Sequence, residues 1–188
     1  APTNAVIPEM RFVDVVQFPR TRVTQLTMPE PAWWELEQRL VLAYIGKPHN
    51  SSDIHKMVIA GLGTEPWKDP RLERLRELAH DARKALEAGD FAGLGQAFNG
   101  NTGVQRALHK HLVCVRFEEI ISLAGEFGAL GCKVNGAGGD GGSIAILTDG
   151  DAARKRLLQN ELVRKGFQTI SIRLAPHGLR VWQSPVSG

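Results

Sequence analysis

Apolar residues along this chain follow two different periods, one of strands and one of helices. Alternation with period two and short continuous apolar runs are typical of strands. Strands are predicted at 11–18, 23–27, 40–45, on both flanks of a glycine-rich stretch at 131–147, at 168–174 and at 179–182. The first two would form a hairpin that turns at 19–21, and in 168–174 the residues Ile170, Ile172 and Leu174 would share the buried side.

The remaining apolar residues recur at helical spacing, and capping residues mark several helix ends. Helices are predicted around 33–37, at 54–62, at 70–88, from Phe91 onward, through 104–112, at 117–127 and from Asp149 or Asp151 to Gly166, with a break at 99–103. Helices clustered between strands predict an α+β fold, with a mainly antiparallel sheet covered on one face. The order is compatible with a ferredoxin-like core that carries a helical insert.

Composition narrows the class of protein. The 188 residues are 43% hydrophobic and 23% charged, with a net charge of +3, which is ordinary for a globular protein. No block of Lys and Arg predicts nucleic-acid binding, and no apolar run has the roughly 20 residues that span a bilayer. The two cysteines form neither a zinc motif nor a disulfide framework, so we expect a reduced, cytoplasmic protein without a bound metal.

The stretch from Gly136 to Gly142 holds five glycines in seven residues. Glycine density of this kind lets a backbone turn sharply and bring successive N–H groups close to an anion. One interpretation is therefore a loop that approaches phosphate. The other is a glycine-rich hairpin whose tight turn serves packing alone, and the glycines by themselves favour neither.

The flanks of this stretch favour the first interpretation. The segment FEEIISLAGEFGALGCKVNGAGGDGGSIAIL resembles the third conserved motif of the GHMP kinase superfamily, which includes galactokinase, homoserine kinase, mevalonate kinase and phosphomevalonate kinase. Residues 128–133 fit the approach to that motif, and 136–139 fit its core. Two departures are Asn135, where the family usually has Ser or Thr, and Asp140, where it usually has Gly. The resemblance extends more loosely over most of the chain.

The resemblance implies the ferredoxin-like C-terminal domain of a kinase that uses ATP and Mg²⁺. The domain would span 11–182, after an irregular lead-in at 1–10 and before a tail at 183–188. The family's main phosphate loop and its usual catalytic Asp are not found, so the catalytic residues stay unassigned. We expect them in an N-terminal domain, and a chain that begins without Met fits a fragment. The implied phosphate and nucleotide loop is Asn135, Gly136, Ala137, Gly138, Gly139, Asp140, Gly141 and Gly142.

A second candidate site lies where the strand at 40–45 leads through a polar loop into a helix. There Lys47, His49, Ser51 and Ser52 could contact an anionic acceptor, since a helix N-terminus favours negative charge. The resemblance implies that the acceptor is an alcohol, for which we expect a sugar or sugar phosphate. The Asp140 carboxylate would repel phosphates, so we expect it to turn away or to serve a local turn.

Two other classes of function stay open at this point. One is a non-catalytic module that retains the fold and binds a metabolite. The other is a structural or dimerisation domain in which the glycine-rich stretch is a packing hairpin. A homodimer is compatible with the kinase and with both of these classes.

Overall fold

The computed structural model describes residues 10–17, 19–46 and 51–175, with backbone alone for 51–53. The chain divides into two compact units, 28–172 and a smaller one made of 1–27 and 173–188. The smaller unit contains an antiparallel hairpin of β1 (Arg11–Gln17) and β2 (Arg20–Gln25), with Val13 opposite Val23. The predicted hairpin is confirmed, but its turn comes earlier than expected, because Arg20 and Thr21 already pair with β1.

The larger unit contains the remaining elements. They are α1 (Glu30–Arg39), β3 (Leu40–Tyr44), α2 (Ser51–Ala60), a 3-10 turn (Pro66–Lys68), α3 (Pro70–Ala88), α4 (Phe91–Leu108), α5 (Val115–Glu126), β4 (Gly131–Val134), β5 (Ser143–Leu147), α6 (Ala152–Arg164) and β6 (Gln168–Ile170). In the described part of the chain, no helix is long and apolar enough to cross a membrane.

Capping residues set the bounds of the long helices. The carboxylates of Asp69, Asp90 and Asp151 accept hydrogen bonds from backbone N–H groups at the starts of α3, α4 and α6. Each satisfies a donor that the first helical turn leaves free. Gly89 ends α3 in the left-handed conformation, with φ of 67°. The predicted helix at 70–88 and the predicted helix start at Phe91 are thus confirmed.

The four strands of the larger unit form one antiparallel sheet in the order β4-β5-β3-β6. Two helices, α5 and α6, pack on one face of this sheet. The fully buried side chains between sheet and helices are Val41, Ala43, Val134, Ile144, Ile146, Phe117, Ile120, Leu158 and Leu162. This arrangement is a β-α-β-β-α-β core in which α2, α3 and α4 form the insert, as the α+β, ferredoxin-like prediction required.

The strand predicted at 168–174 is shorter than expected and faces the other way. β6 ends at Ile170 and pairs with β3 alone. Thr169 lies opposite the fully buried Ala43, so the neighbouring Ile170 points to the other face of the sheet, where it is 45% exposed. Alternation revealed the strand but not which of its sides is buried. The turn and strand predicted at 176–182 lie outside the described residues.

The predicted break at 99–103 is wrong, because α4 runs through it to Leu108. The polar side chains of Asn99 and Thr102 bond the backbone of β4 rather than their own helix. Gly100 lies against α3, where a Cβ atom would come within 2.6 Å of Leu78 Cδ2. Tertiary contacts therefore offset the weak helix propensity of this segment. The helix predicted through 104–112 is the last part of α4.

Helix α4 approaches strand β4 unusually closely. A Cβ atom on Gly131 would lie 2.2 Å from the carbonyl oxygen of Gly95, and one on Gly95 would lie 2.6 Å from the carbonyl oxygen of Leu130. Both obstacles are backbone atoms that cannot rotate away. Glycine at both positions is therefore required for the helix to lie on the strand.

We predict that Gly95→Ala lowers the free energy of unfolding by about 2 kcal/mol, the typical cost of overpacking. Gly103 of the same helix is the matched control, since a Cβ atom there meets nothing within 4 Å. Gly103→Ala should stabilise the fold by up to about 1 kcal/mol through helix propensity. Urea unfolding of both variants measures the difference, and equal midpoints would show that α4 and β4 are farther apart than described.

Candidate functional site

The glycine-rich stretch forms a loop of residues 135–142 between β4 and β5, which we call the glycine loop. Its two ends are fastened to the sheet. The backbone N–H of Asn135 donates to the carbonyl oxygen of Ser143 at 2.9 Å, and the side-chain amide of Asn135 donates to Ser143 Oγ at 3.1 Å. The N–H of Ile45 donates to the carbonyl oxygen of Gly142 at 3.1 Å. The loop is thus an extension of the sheet.

Two glycines of this loop are required by packing. Gly138 and Gly139 are buried and adopt φ of 61° and 82°. A Cβ atom on Gly138 would lie 1.7 Å from the carbonyl oxygen of Leu112, and one on Gly139 would lie 2.2 Å from Ile54 Cδ1. The neighbouring Ala137 packs in an apolar cluster with these two partners. By contrast, Gly136 and Asp140 are exposed, so part of the loop faces solvent.

A cleft of about 490 Å³ borders the glycine loop, and we call it the loop cleft. Asp140 lines it from the loop. Its other walls are the end of β3, the turn after α4 and the start of α5, which contribute Ile45, Lys110, His111, Val113, Cys114, Val115 and Arg116. Two basic side chains, a histidine and one carboxylate thus line the same cleft. Two other grooves of about 380 and 390 Å³ lie between helix pairs, away from the loop.

The start of α5 adds to the positive character of this cleft. Cys114 is the N-cap residue, and its side chain makes no capping hydrogen bond. The positive end of the helix dipole therefore lies at the cleft wall. Arg116 is held in place there, because its guanidinium lies 4.0 Å from the centre of the Phe167 ring and 3.0 Å from Glu119. This combination favours an anionic ligand.

Two titratable side chains of β4 lie beneath the glycine loop. Burial raises the pKa of the Cys132 thiol to about 12, because an apolar environment disfavours the thiolate. Burial also lowers the pKa of Lys133, whose Nζ donates to the carbonyl oxygen of Val134 at 3.2 Å. Cys132 is therefore an inert core thiol rather than a nucleophile.

The region that contains the loop matches a known protein family. Residues 82–162 match the family model described as GHMP kinases C terminal, and these residues run from within α3 through the glycine loop into α6. This part of the chain is similar to the C-terminal domain of GHMP kinases. No curated protein matches the sequence.

Several solved kinases share the fold of this chain. L. major mevalonate kinase in complex with R-mevalonate is 21% identical, with a TM-score of 0.60 over 81% of this chain and 46% of that one. A D-glycero-D-manno-heptose 1-phosphate kinase from Bacteroides thetaiotaomicron is 17% identical, with a TM-score of 0.59 over 92% and 45%. Streptococcus pneumoniae phosphomevalonate kinase in complex with phosphomevalonate and AMPPNP is 15% identical, with a TM-score of 0.63 over 89% and 45%. The chain thus spans less than half the length of each.

The residues predicted for the second candidate site are only partly described. Lys47 and His49 lie outside the described residues, whereas Ser51 and Ser52 begin α2 as expected, without a description of their side chains. Whether these four lie at the loop cleft stays a prediction. Among the described residues, no three or more His, Cys, Asp or Glu side chains come together as a metal cluster.

Sequence reasoning missed the cationic wall of the loop cleft. Lys110, His111 and Arg116 follow one another around the end of α4 and the start of α5. The ring of His109 stacks on that of His111, with centroids 5.2 Å apart. The sequence feature that could have predicted this wall is a group of basic residues around the start of a helix. That helix is followed by β4 and then by the glycine loop.

We predict that the two cysteines differ sharply in reactivity at pH 8. Cys132 stays protonated there, since its thiolate forms only as the pH approaches the raised pKa of about 12. Cys114 is half-buried and lines the loop cleft. Iodoacetamide should therefore modify Cys114 in the folded chain and reach Cys132 only after unfolding, as read by peptide mass spectrometry. Equal native rates at the two cysteines would contradict the described burial.

Proposed function

We propose that this chain is the C-terminal domain of an ATP-dependent small-molecule kinase. The reaction would transfer the γ-phosphoryl group of ATP to an alcohol, for which we favour a sugar or sugar phosphate. The match of 82–162 to the GHMP kinase C-terminal domain carries the proposal, because the matched region contains the whole glycine loop. The whole enzyme would be about twice as long, as are the kinases that share the fold.

The arrangement at the glycine loop supports a role in binding phosphate. Phosphoryl transfer depends mainly on positioning and on stabilising negative charge. Lys110, Arg116 and the first turn of α5 supply positive charge at the loop cleft, next to the exposed side of the loop. The phosphates of a nucleotide or an acceptor phosphate would be the complementary group. Nucleophile orientation would come from the other domain.

Mg²⁺ would neutralise charge on the transferred phosphoryl group when it is bound. Such ions are usually held by one or two carboxylates together with substrate phosphates. Asp140 is the one carboxylate that lines the loop cleft among the described residues, so this part of the chain offers at most one ligand. We continue to favour a local role for Asp140 over metal ligation.

One observation favours a second candidate, a non-catalytic module. A side chain at Gly138 would collide with the backbone of Leu112, and one at Gly139 with the side chain of Ile54, so packing accounts for both glycines without a phosphate. A domain that had lost phosphoryl transfer would retain them for packing. Turnover by the complete protein separates the two candidates.

We predict that Gly139→Val in the full-length protein abolishes phosphoryl transfer and leaves the fold largely intact. Valine is strained at φ of 82°, and its side chain would push against Ile54 and shift the loop. Gly63→Val is the matched control, because Gly63 has φ of 71°, lies outside the loop and has nothing within 4 Å of a Cβ atom. A coupled assay of ADP release measures both variants; equal activity would refute the proposed role of the loop.

We predict that the 188-residue chain alone folds, binds Mg·ATP only weakly and transfers no phosphate. It offers one glycine loop, whereas nucleotide positioning and nucleophile orientation would come from the N-terminal domain. Calorimetry with Mg·ATP and an ADP-release assay over a panel of sugars test this. Sub-micromolar binding or substrate-dependent ADP release would show that the site is complete in this chain.

A further inference from the structure

Helix α4 presents a row of polar side chains to the free edge of strand β4. Asn99 donates to the carbonyl oxygen of Leu130 at 3.1 Å and accepts from the N–H of Cys132 at 2.9 Å. Thr102 donates to the carbonyl oxygen of Cys132 at 2.8 Å and accepts from the N–H of Val134 at 3.2 Å. The row lies on one helical face, since its members are three residues apart.

Gln105 is the third member of this row and the only one that reaches the glycine loop. Its Nε2 donates to the carbonyl oxygen of Gly136 at 3.0 Å. The backbone groups that the row contacts belong to residues 130, 132, 134 and 136. Cys132 and Val134 are the outward-facing positions of the edge strand β4, and Leu130 and Gly136 lie just before and after it. Helix α4 therefore takes the place of a further strand and continues that pairing beyond β4 into the loop.

Glutamine has one more methylene than asparagine, and at position 105 its amide reaches the carbonyl oxygen of Gly136, two residues beyond the end of β4.

Burying the side-chain amide of Gln105 costs folding free energy, and its packing contacts do not require an amide. Its residue is 9% exposed, and its Oε1 has no hydrogen-bond partner among the described residues. A buried oxygen without a partner is destabilising, and methionine of similar shape would avoid it. Gly136 is exposed, so its carbonyl oxygen could bond water instead. Gln105 therefore serves to hold the glycine loop in place and does not raise the stability of the whole fold.

We propose that Gln105 is a positioning residue for the glycine loop. It holds the Gly136 carbonyl oxygen, while Leu112, just after the same helix, packs against Ala137 and leaves no room for a side chain at Gly138. Helix α4 and the turn after it thereby set the conformation of the first half of the loop. The catalytic consequence rests on the proposed function, since it assumes that this loop binds phosphate during transfer.

The test on the 188-residue chain uses NMR order parameters of the loop amides and needs no ATP. Gln105→Met should lower the values at 136–140 from about 0.85, typical of rigid backbone, toward about 0.6. The thermal midpoint should stay the same or rise, because the unpaired oxygen is removed. Gln96→Met is the matched control, since Gln96 lies exposed on the same helix, and it should leave the loop unchanged.

Two results would overturn the proposal. One is a loop as rigid in Gln105→Met as in Gln96→Met. The other is order lost equally throughout α4 and β4, which would give Gln105 a general structural role. Should the Met variant fail to fold, Gln105→Leu removes the donor with another apolar helix-forming side chain and should loosen the loop in the same way.

Kinetics of the full-length protein test the catalytic part separately. Gln105→Met should lower kcat roughly tenfold at an unchanged thermal midpoint, a typical cost of slight misplacement of reacting groups, whereas Gln96→Met should not. An unchanged kcat with a loosened loop would overturn the catalytic part. If the wild-type protein transfers no phosphate, the proposed function fails, and the order parameters still decide whether Gln105 positions the loop.

Discussion

The close approach of helix α4 to strand β4 is the contact on which the rest of this domain depends. It requires Gly95 and Gly131 to face each other without side chains, with a carbonyl oxygen where a Cβ atom would be. At that distance Asn99 and Thr102 reach the backbone of an edge strand, which would otherwise be open to pairing with another chain. The same helix then carries Gln105 to the glycine loop.

Local sequence signals predicted the parts of the fold that local chemistry decides. Asp90 and Gly89 marked helix ends because a capping carboxylate and a left-handed glycine act within one turn. The strands around the glycine loop were predicted because both are short apolar runs with turn residues between them. In these cases local preference and tertiary structure agree.

The wrong predictions concern segments whose structure is decided by tertiary contacts. The polar and glycine residues at 99–103 predict a break in the helix when only neighbouring residues are considered. The helix continues because three of them contact residues more than twenty positions away. Gly100 contacts Leu78, and Asn99 and Thr102 bond the backbone at β4. The side chain of Ile170 was assigned to the buried face, although alternation of apolar and polar residues does not show which face of a strand is buried. Only the register with Ala43 shows which side of β6 faces the helices.

The candidate site was likewise predicted in part. The glycine loop itself was predicted from its glycines and flanks, and its role in binding phosphate stays a prediction. The cationic side of the loop cleft was not predicted, because Lys110 and Arg116 lie on either side of a turn whose course the sequence does not reveal.

Glycine density in this loop therefore has two causes that the sequence cannot separate. Gly138 and Gly139 permit burial against Leu112 and Ile54, whereas Gly136 and Asp140 remain exposed beside the cleft. A loop packed on one side and open on the other is preorganised, since its backbone need not be ordered again when a ligand binds. In phosphoryl transfer, where positioning supplies much of the catalysis, the packing glycines would thus contribute to binding through the rigidity that they permit.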